Sequence, residues 1–205
     1  ALYDYSDKLK HYLMRHEQGA IHAAQGYSRV SEKAGVVFAT SGPGATNLIT
    51  GIADAQIDSN PIVCVTGQVA EHLLGTDAFQ ETDVIGISMP VTKWNVQVTR
   101  AEDIAPAIAK AFYIATSGRP GPVLVAIAKN AQFGKTKYKF EKCTSLRSYV
   151  PYPEVNIESV KKAAELINGA KKPYILCGHG VLLSESQKQL QDLAEKGHIP
   201  VASTL

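Results

Sequence analysis

The chain has 205 residues, enough for one large domain or for one domain and part of a second. Apolar residues make up 45 % and charged residues 20 %, which supports a buried core and argues against disorder, and no apolar run approaches the roughly 18 residues of a membrane span. A formal net charge of +2 is too small for a nucleic-acid footprint. Cys64, Cys143 and Cys177 are widely spaced and lack any CxxC or Cys/His cluster, so neither a disulfide framework nor a zinc site is expected. A reducing, cytoplasmic compartment is the corresponding expectation. The chain opens on Ala1 rather than Met, without a signal-peptide pattern, and reads as a piece of something longer.

Taken in chain order, β-like and helix-like runs alternate. Residues 11–15 read as a short strand. Residues 17–30 carry Ala20, Ile21, Ala24 and Tyr27 at helical spacing. Residues 35–40 are continuous and apolar, as a strand covered on both faces would be. Ser41-Gly42-Pro43-Gly44 breaks the chain before a helix over 45–56. Residues 61–66 form another apolar strand, and 68–83 are polar and irregular. Residues 94–98 alternate, predicting a more exposed strand. A helix over 101–117 stops at Gly118-Arg119-Pro120-Gly121, and 123–127 form a buried strand. Such spacing predicts an α/β fold, a doubly wound parallel sheet with helices on both faces, over residues 1–130. Residues 131–156 are rich in lysine, end in Pro151 and Pro153, and read as a linker. Residues 157–205 then read as helix, strand, helix, strand, the start of a second, Rossmann-like α/β domain.

Chemistry is expected where strands hand over to helices, because parallel sheets bind ligands at the carboxyl ends of their strands. Glu17 falls at one such point. It reads either as a partly desolvated carboxyl with a raised pKa or as a helix-start Glu stabilised by the dipole. His16 beside it points elsewhere on a helix, which disfavours a metal or dyad reading. Ser41-Gly42-Pro43-Gly44-Ala45-Thr46-Asn47 is a second such point. Its glycines permit close approach of a ligand or simply make a tight turn, and it matches neither GxGxxG nor a P-loop. Third is the long loop over 67–83, where Phe79 is either a tether into the core or a pocket wall. Gly178-His179-Gly180 is a weak dinucleotide signal.

Five segments occur together and in order: 15–20 (RHEQGA), 40–47 (TSGPGATN), 66–69 (TGQV), 75–81 (GTDAFQE) and 118–123 (GRPGPV). As a set they resemble the pyrimidine-binding domain of the thiamine-diphosphate enzymes, and among these the large catalytic subunit of acetolactate synthases. The resemblance is strong over 1–130 and looser beyond. It implies that Glu17 hydrogen-bonds the aminopyrimidine ring of thiamine diphosphate and takes part in its proton transfer. It implies that Gly42, Pro43, Gly44 and Asn47 line the cofactor pocket, that Phe79 and Gln80 lie by the substrate, with Gln80 and Lys129 among the catalytic residues, and that Arg119 contacts FAD. The implied reaction decarboxylates pyruvate and condenses the hydroxyethyl unit with a second 2-oxoacid, an early step towards branched-chain amino acids. Other thiamine-diphosphate decarboxylases or carboligases, and a non-catalytic cofactor-binding paralogue, are the alternatives.

The resemblance further implies a homodimer with its active site between subunits, a small regulatory subunit, and Mg²⁺ whose ligands lie outside this chain; no metal ligand is expected within it. Ala70 stands where many members have Pro, and Ala128-Lys129-Asn130 replaces Pro-Lys-Asp. Where the family has a run of glycines near FAD, this chain has Gly178-His179-Gly180, with a bulky His179. The chain alone is expected to have no turnover.

Overall fold

The computed structural model describes residues 2–204, which form two compact units divided between Tyr152 and Pro153. The first unit contains, in order, α1 (Glu17–Ser31), β1 (Gly35–Ala39), α2 (Pro43–Asn47), α3 (Ile49–Ile57), β2 (Ile62–Gln68), α4 (Val84–Ser88), β3 (Trp94–Val98), α5 (Ile104–Thr116), β4 (Pro122–Ala128) and α6 (Lys129–Phe133). Its strands form one parallel sheet in the order β1-β2-β4-β3. This is the predicted doubly wound α/β architecture.

Burial follows sheet position. Strands β2 and β4 lie at the centre and are buried nearly throughout, which is why they read as unbroken apolar runs. On one face Ile62, Cys64, Leu124 and Ala126 pack with Ile21 and Ala24 of α1, Ile52 of α3 and Val84 of α4. On the other, Val63, Val65, Val123 and Val125 pack with Ala111, Ile114 and Ala115 of α5. Helices therefore cover both faces. Burial pushes the Cys64 thiol well above its ordinary pKa, so it stays protonated and inert in the core.

Three expectations need correction. Residues 11–15 form no strand; they are exposed and irregular, because no neighbouring strand among the described residues pairs with them. Strand β1 is an edge strand, and its second face is uncovered, with Val36 42 % and Phe38 53 % exposed. The helix expected over 45–56 is two helices joined at Leu48, where Leu48 N–H bonds back three residues to the Ala45 carbonyl as well as to Thr46. Three short helices, α2, α4 and α6, start at strand ends or loops where no long periodic run announces them.

Residues 131–156 contain little regular structure after α6, but their far end packs on the sheet unit. Lys93, just before β3, donates from Nζ to the Ile114 carbonyl at 2.5 Å, the Ser117 carbonyl at 2.8 Å and the Tyr149 hydroxyl at 3.1 Å. Tyr149 also donates to the Ser117 carbonyl and stacks edge-on against Tyr113. The ammonium thus sits at the carboxyl end of α5, where the helix dipole favours a cation. Lys93→Met strips this charge from three acceptors at once. It is expected to lower stability by about 2 kcal/mol, read as a fall in the urea unfolding midpoint. An unchanged midpoint would show that water replaces Lys93 at no cost.

The second unit contains α7 (Ile157–Gly169), β5 (Ile175–Cys177), α8 (Gly180–Leu183), α9 (Gln187–Gly197) and β6 (Val201–Ser203). Its two strands pair in parallel, joined by a crossover through α9, as a Rossmann-like unit requires. No helix among the described residues is long and apolar enough to cross a membrane.

Candidate functional site

Because all four strands of the first unit run parallel, their carboxyl ends share one edge of the sheet. Strand β1 passes there into the turn before α2, β2 into the long loop, and β4 into Lys129. Helix α1 begins at the same edge. His16 caps it by accepting Gln18 N–H on its Nδ1 at 3.1 Å, a role open to the neutral ring with its proton on Nε2. His16 is thereby a helix cap.

Glu17 is the first residue of α1. Its Oε2 accepts from the Asn47 side-chain Nδ2 at 3.0 Å. Its Oε1 faces Gly44, at which a Cβ would lie 3.4 Å from that oxygen and 2.7 Å from Thr40 Cγ2. Gly44 therefore packs directly against Thr40 and the Glu17 carboxylate, with no room for a Cβ. Glu17's own backbone N–H holds its carboxyl below the usual carboxylate range, with Asn47 helping. This corrects the expectation of a desolvated carboxyl with a raised pKa. Glu17 is only half-buried, and the helix-start reading describes its charge state in this structure.

The Gly42 turn meets the long loop directly. Gly42 has φ +60° and ψ −120°, and a Cβ there would lie 2.7 Å from the Gln80 carbonyl oxygen and 2.8 Å from Gln80 Cα. Gln80 is itself left-handed at φ 58°. The loop's backbone thus rests on the turn. Phe79 is 88 % exposed, which excludes the core-tether reading. Glu17, Gly42, Pro43, Gly44, Asn47 and the Phe79-Gln80 loop are therefore assembled at one edge. Lys129 stands exposed at the end of β4, its backbone N–H 3.4 Å from the Val69 carbonyl at the loop's start.

Arg119 is not brought to this edge. It precedes β4, at the opposite ends of the strands, where Nε donates to Ser59 Oγ at 2.8 Å. Its Nη2 donates to the Ile57 carbonyl at 3.0 Å and the Gln56 carbonyl at 3.3 Å. These bonds cap the carboxyl end of α3. In the second unit, Gly178 follows β5 and His179 precedes the single turn of α8.

Two polar side chains organise the long loop without having been singled out by themselves in the sequence. Gln68, at the end of β2, accepts Val69 N–H at 2.8 Å and donates to the Thr82 carbonyl at 2.9 Å. Asn130 accepts Glu71 N–H at 2.9 Å and donates to the Thr99 carbonyl at 2.7 Å. The available signal was a glutamine closing an otherwise apolar strand.

Residues 1–87 match the family described as thiamine pyrophosphate enzyme, N-terminal TPP binding domain. Residues 160–205 match the thiamine pyrophosphate enzyme central domain. The chain belongs to the thiamine pyrophosphate enzymes. Among individual relatives it is 53 % identical over 201 residues to an acetolactate synthase of Mycobacterium leprae. It is 50 % identical over 200 residues to the acetolactate synthase large subunit of Corynebacterium glutamicum, and 47 % over 199 residues to that of Haemophilus influenzae. These alignments cover 98 %, 98 % and 96 % of this chain but 32 %, 32 % and 35 % of the relatives. The chain thus spans about a third of their length.

Proposed function

We propose that this chain is the pyrimidine-binding part of a carboligase that decarboxylates pyruvate and condenses the hydroxyethyl unit with a second 2-oxoacid, as acetolactate synthases do. The observation that supports it best is the Glu17–Asn47 pair beside Gly44, at the strand-end edge, within a segment matching a TPP binding domain. When bound, thiamine diphosphate supplies the nucleophilic carbon of the reaction.

The residues present fit the pyrimidine half of that cofactor. Glu17 offers a carboxyl oriented by Asn47, and Gly44 beside it presents backbone without a side chain. In our reading Glu17 holds and returns a proton at the ring nitrogen. Its lowered pKa in this structure suits the ionised half of that cycle. A ring seated against the half-buried carboxyl would take water from it, which favours the protonated half. Gly42 and Pro43 wall the pocket, and the loop presents Phe79 and Gln80 to the substrate. Lys129 adds a cation at the same edge, suited to an anionic 2-oxoacid.

The diphosphate and its metal are a different matter. Among the described residues no group of three or more His, Cys, Asp and Glu side chains is placed to hold a metal ion. Mg²⁺, with ligands outside this chain, belongs to the proposal through the acetolactate synthase likeness alone. For FAD the fit is poor, because Arg119 commits Nε to Ser59 and Nη2 to the end of α3. FAD, a homodimer sharing the active site, a small regulatory subunit and a cytoplasmic location belong to this proposal through the acetolactate synthase likeness alone.

The test supplies pyruvate, thiamine diphosphate, Mg²⁺ and FAD to the full-length protein that carries this chain and measures 2-acetolactate. Formation of acetolactate is the expected result, with none from residues 1–205 alone. Absence of product from the full-length protein, or turnover by the isolated chain, would each overturn part of the reading.

A further inference from the structure

The loop over residues 69–82 carries Phe79 and Gln80, yet little in it explains why it holds one position. It lacks strands and α-helix, is exposed over most of its length, and takes left-handed backbone at Gly75, Asp77 and Gln80. Left-handed residues other than glycine are held in place by their surroundings rather than by preference. Internal backbone bonds, such as Leu73 N–H to Ala70 and Glu81 N–H to Ala78, are local and do not tie the loop to the sheet.

Gln68 does. Its side chain lies on the same sheet face as Ile62 and Cys64, and the residue is only 4 % exposed. A buried primary amide is costly unless both its ends are bonded. Here one end takes Val69 N–H, at the start of the loop, and the other reaches the Thr82 carbonyl, at its end. Asp83 immediately follows and caps α4 by accepting Gly86 N–H at 2.9 Å. One buried side chain thus holds both ends of the loop against the sheet. From that clamp the backbone of Gln80 is laid against Gly42.

We propose that Gln68 is a positioning residue for the proposed reaction: it fixes the Phe79-Gln80 segment over the Gly42 turn by clamping the two ends of its loop. The inference rests on the carboligase reading for its kinetic consequence but not for its structural one. Asn130 serves as an outer tie at Glu71, but it is exposed, so water can replace its bonds. Gln68 has no such substitute.

Gln68→Glu separates the two bonds. When ionised, its carboxylate keeps an acceptor for Val69 N–H but has no hydrogen to donate to Thr82, so it is compared at high pH. Gln68→Met keeps the volume and removes both bonds. Both are made in the full-length protein and compared by amide exchange over 75–81, urea unfolding, thiamine diphosphate affinity and steady-state kinetics with pyruvate. We expect exchange over 75–81 to quicken about tenfold in a variant whose unfolding midpoint matches the wild type. KM for pyruvate should rise and kcat fall, together lowering kcat/KM by about tenfold to a hundredfold, with cofactor affinity unchanged. If Gln68→Glu does not fold, Gln68→Met carries the comparison. Unchanged exchange in a folded variant overturns the clamp. If the wild type makes no acetolactate, the function reading fails while the exchange comparison still decides the clamp.

Discussion

Replacing Glu17 by Gln in the full-length protein is expected to lower acetolactate formation by at least about a hundredfold, the usual range for removing a group that moves a proton in the reaction. Gln keeps the size of the side chain and can still meet Asn47, so the packing beside Gly44 survives. It cannot gain or lose a proton. The loss should therefore fall on kcat more than on the pyruvate KM. Undiminished activity would remove the central assignment.

The same substitution has a second signature in acid. Glu17's folded pKa lies below its unfolded value, because its own backbone N–H and then Asn47 favour the ionised form. A depressed carboxyl stabilises the fold above its unfolded pKa of about 4.3, and that contribution disappears as pH falls through the lower folded value. Wild type should thus unfold at higher urea than Glu17→Gln at pH 7, and the gap should close below about pH 4. A gap constant from pH 7 to pH 3 would mean that the Glu17 charge does not stabilise this site.

Gly42→Ala is the second large effect. The backbone at φ +60° and ψ −120° excludes side chains on strain alone, costing about 1–3 kcal/mol. The added Cβ also meets Gln80 backbone rather than a movable side chain. The loop must shift, and with it the segment proposed to face the substrate. A fall in kcat/KM of about tenfold to a hundredfold is expected. Gly75→Ala is the control. Gly75 is also left-handed, at φ +72°, but open space surrounds it. It should lose stability without a comparable loss in kcat/KM. Equal kinetic losses in the two variants would sink the argument that Gly42 seats the loop.

Much of this architecture was legible in the sequence because central strands of a parallel sheet must be apolar on both faces. Runs 61–66 and 123–127 could bury nowhere else, and they became β2 and β4. The turn at Gly42 and the start of α1 at Glu17 were legible for a related reason, since glycine and helix-start residues answer local backbone demands. Residues 11–15 misled because a strand also needs a neighbour to pair with, and composition does not supply one. The 35–40 run misled because apolar content does not say whether a strand will lie at the edge.

Chain chemistry by itself determined the fold class and the placing of the Gly42 turn and the start of α1 at the strand ends. Each of those depends on periodicity or on local backbone geometry. The tertiary structure decided what no local pattern encodes. It brought Asn47, thirty residues away in the chain, to the Glu17 carboxyl, a contact that exists only once α1 and α2 are packed. It turned Arg119 to the carbonyls of α3, because a guanidinium goes to the acceptors that packing places in reach. It also laid Gln80 on Gly42 and Gln68 under the loop's two ends, contacts that exist only once the strands are in register.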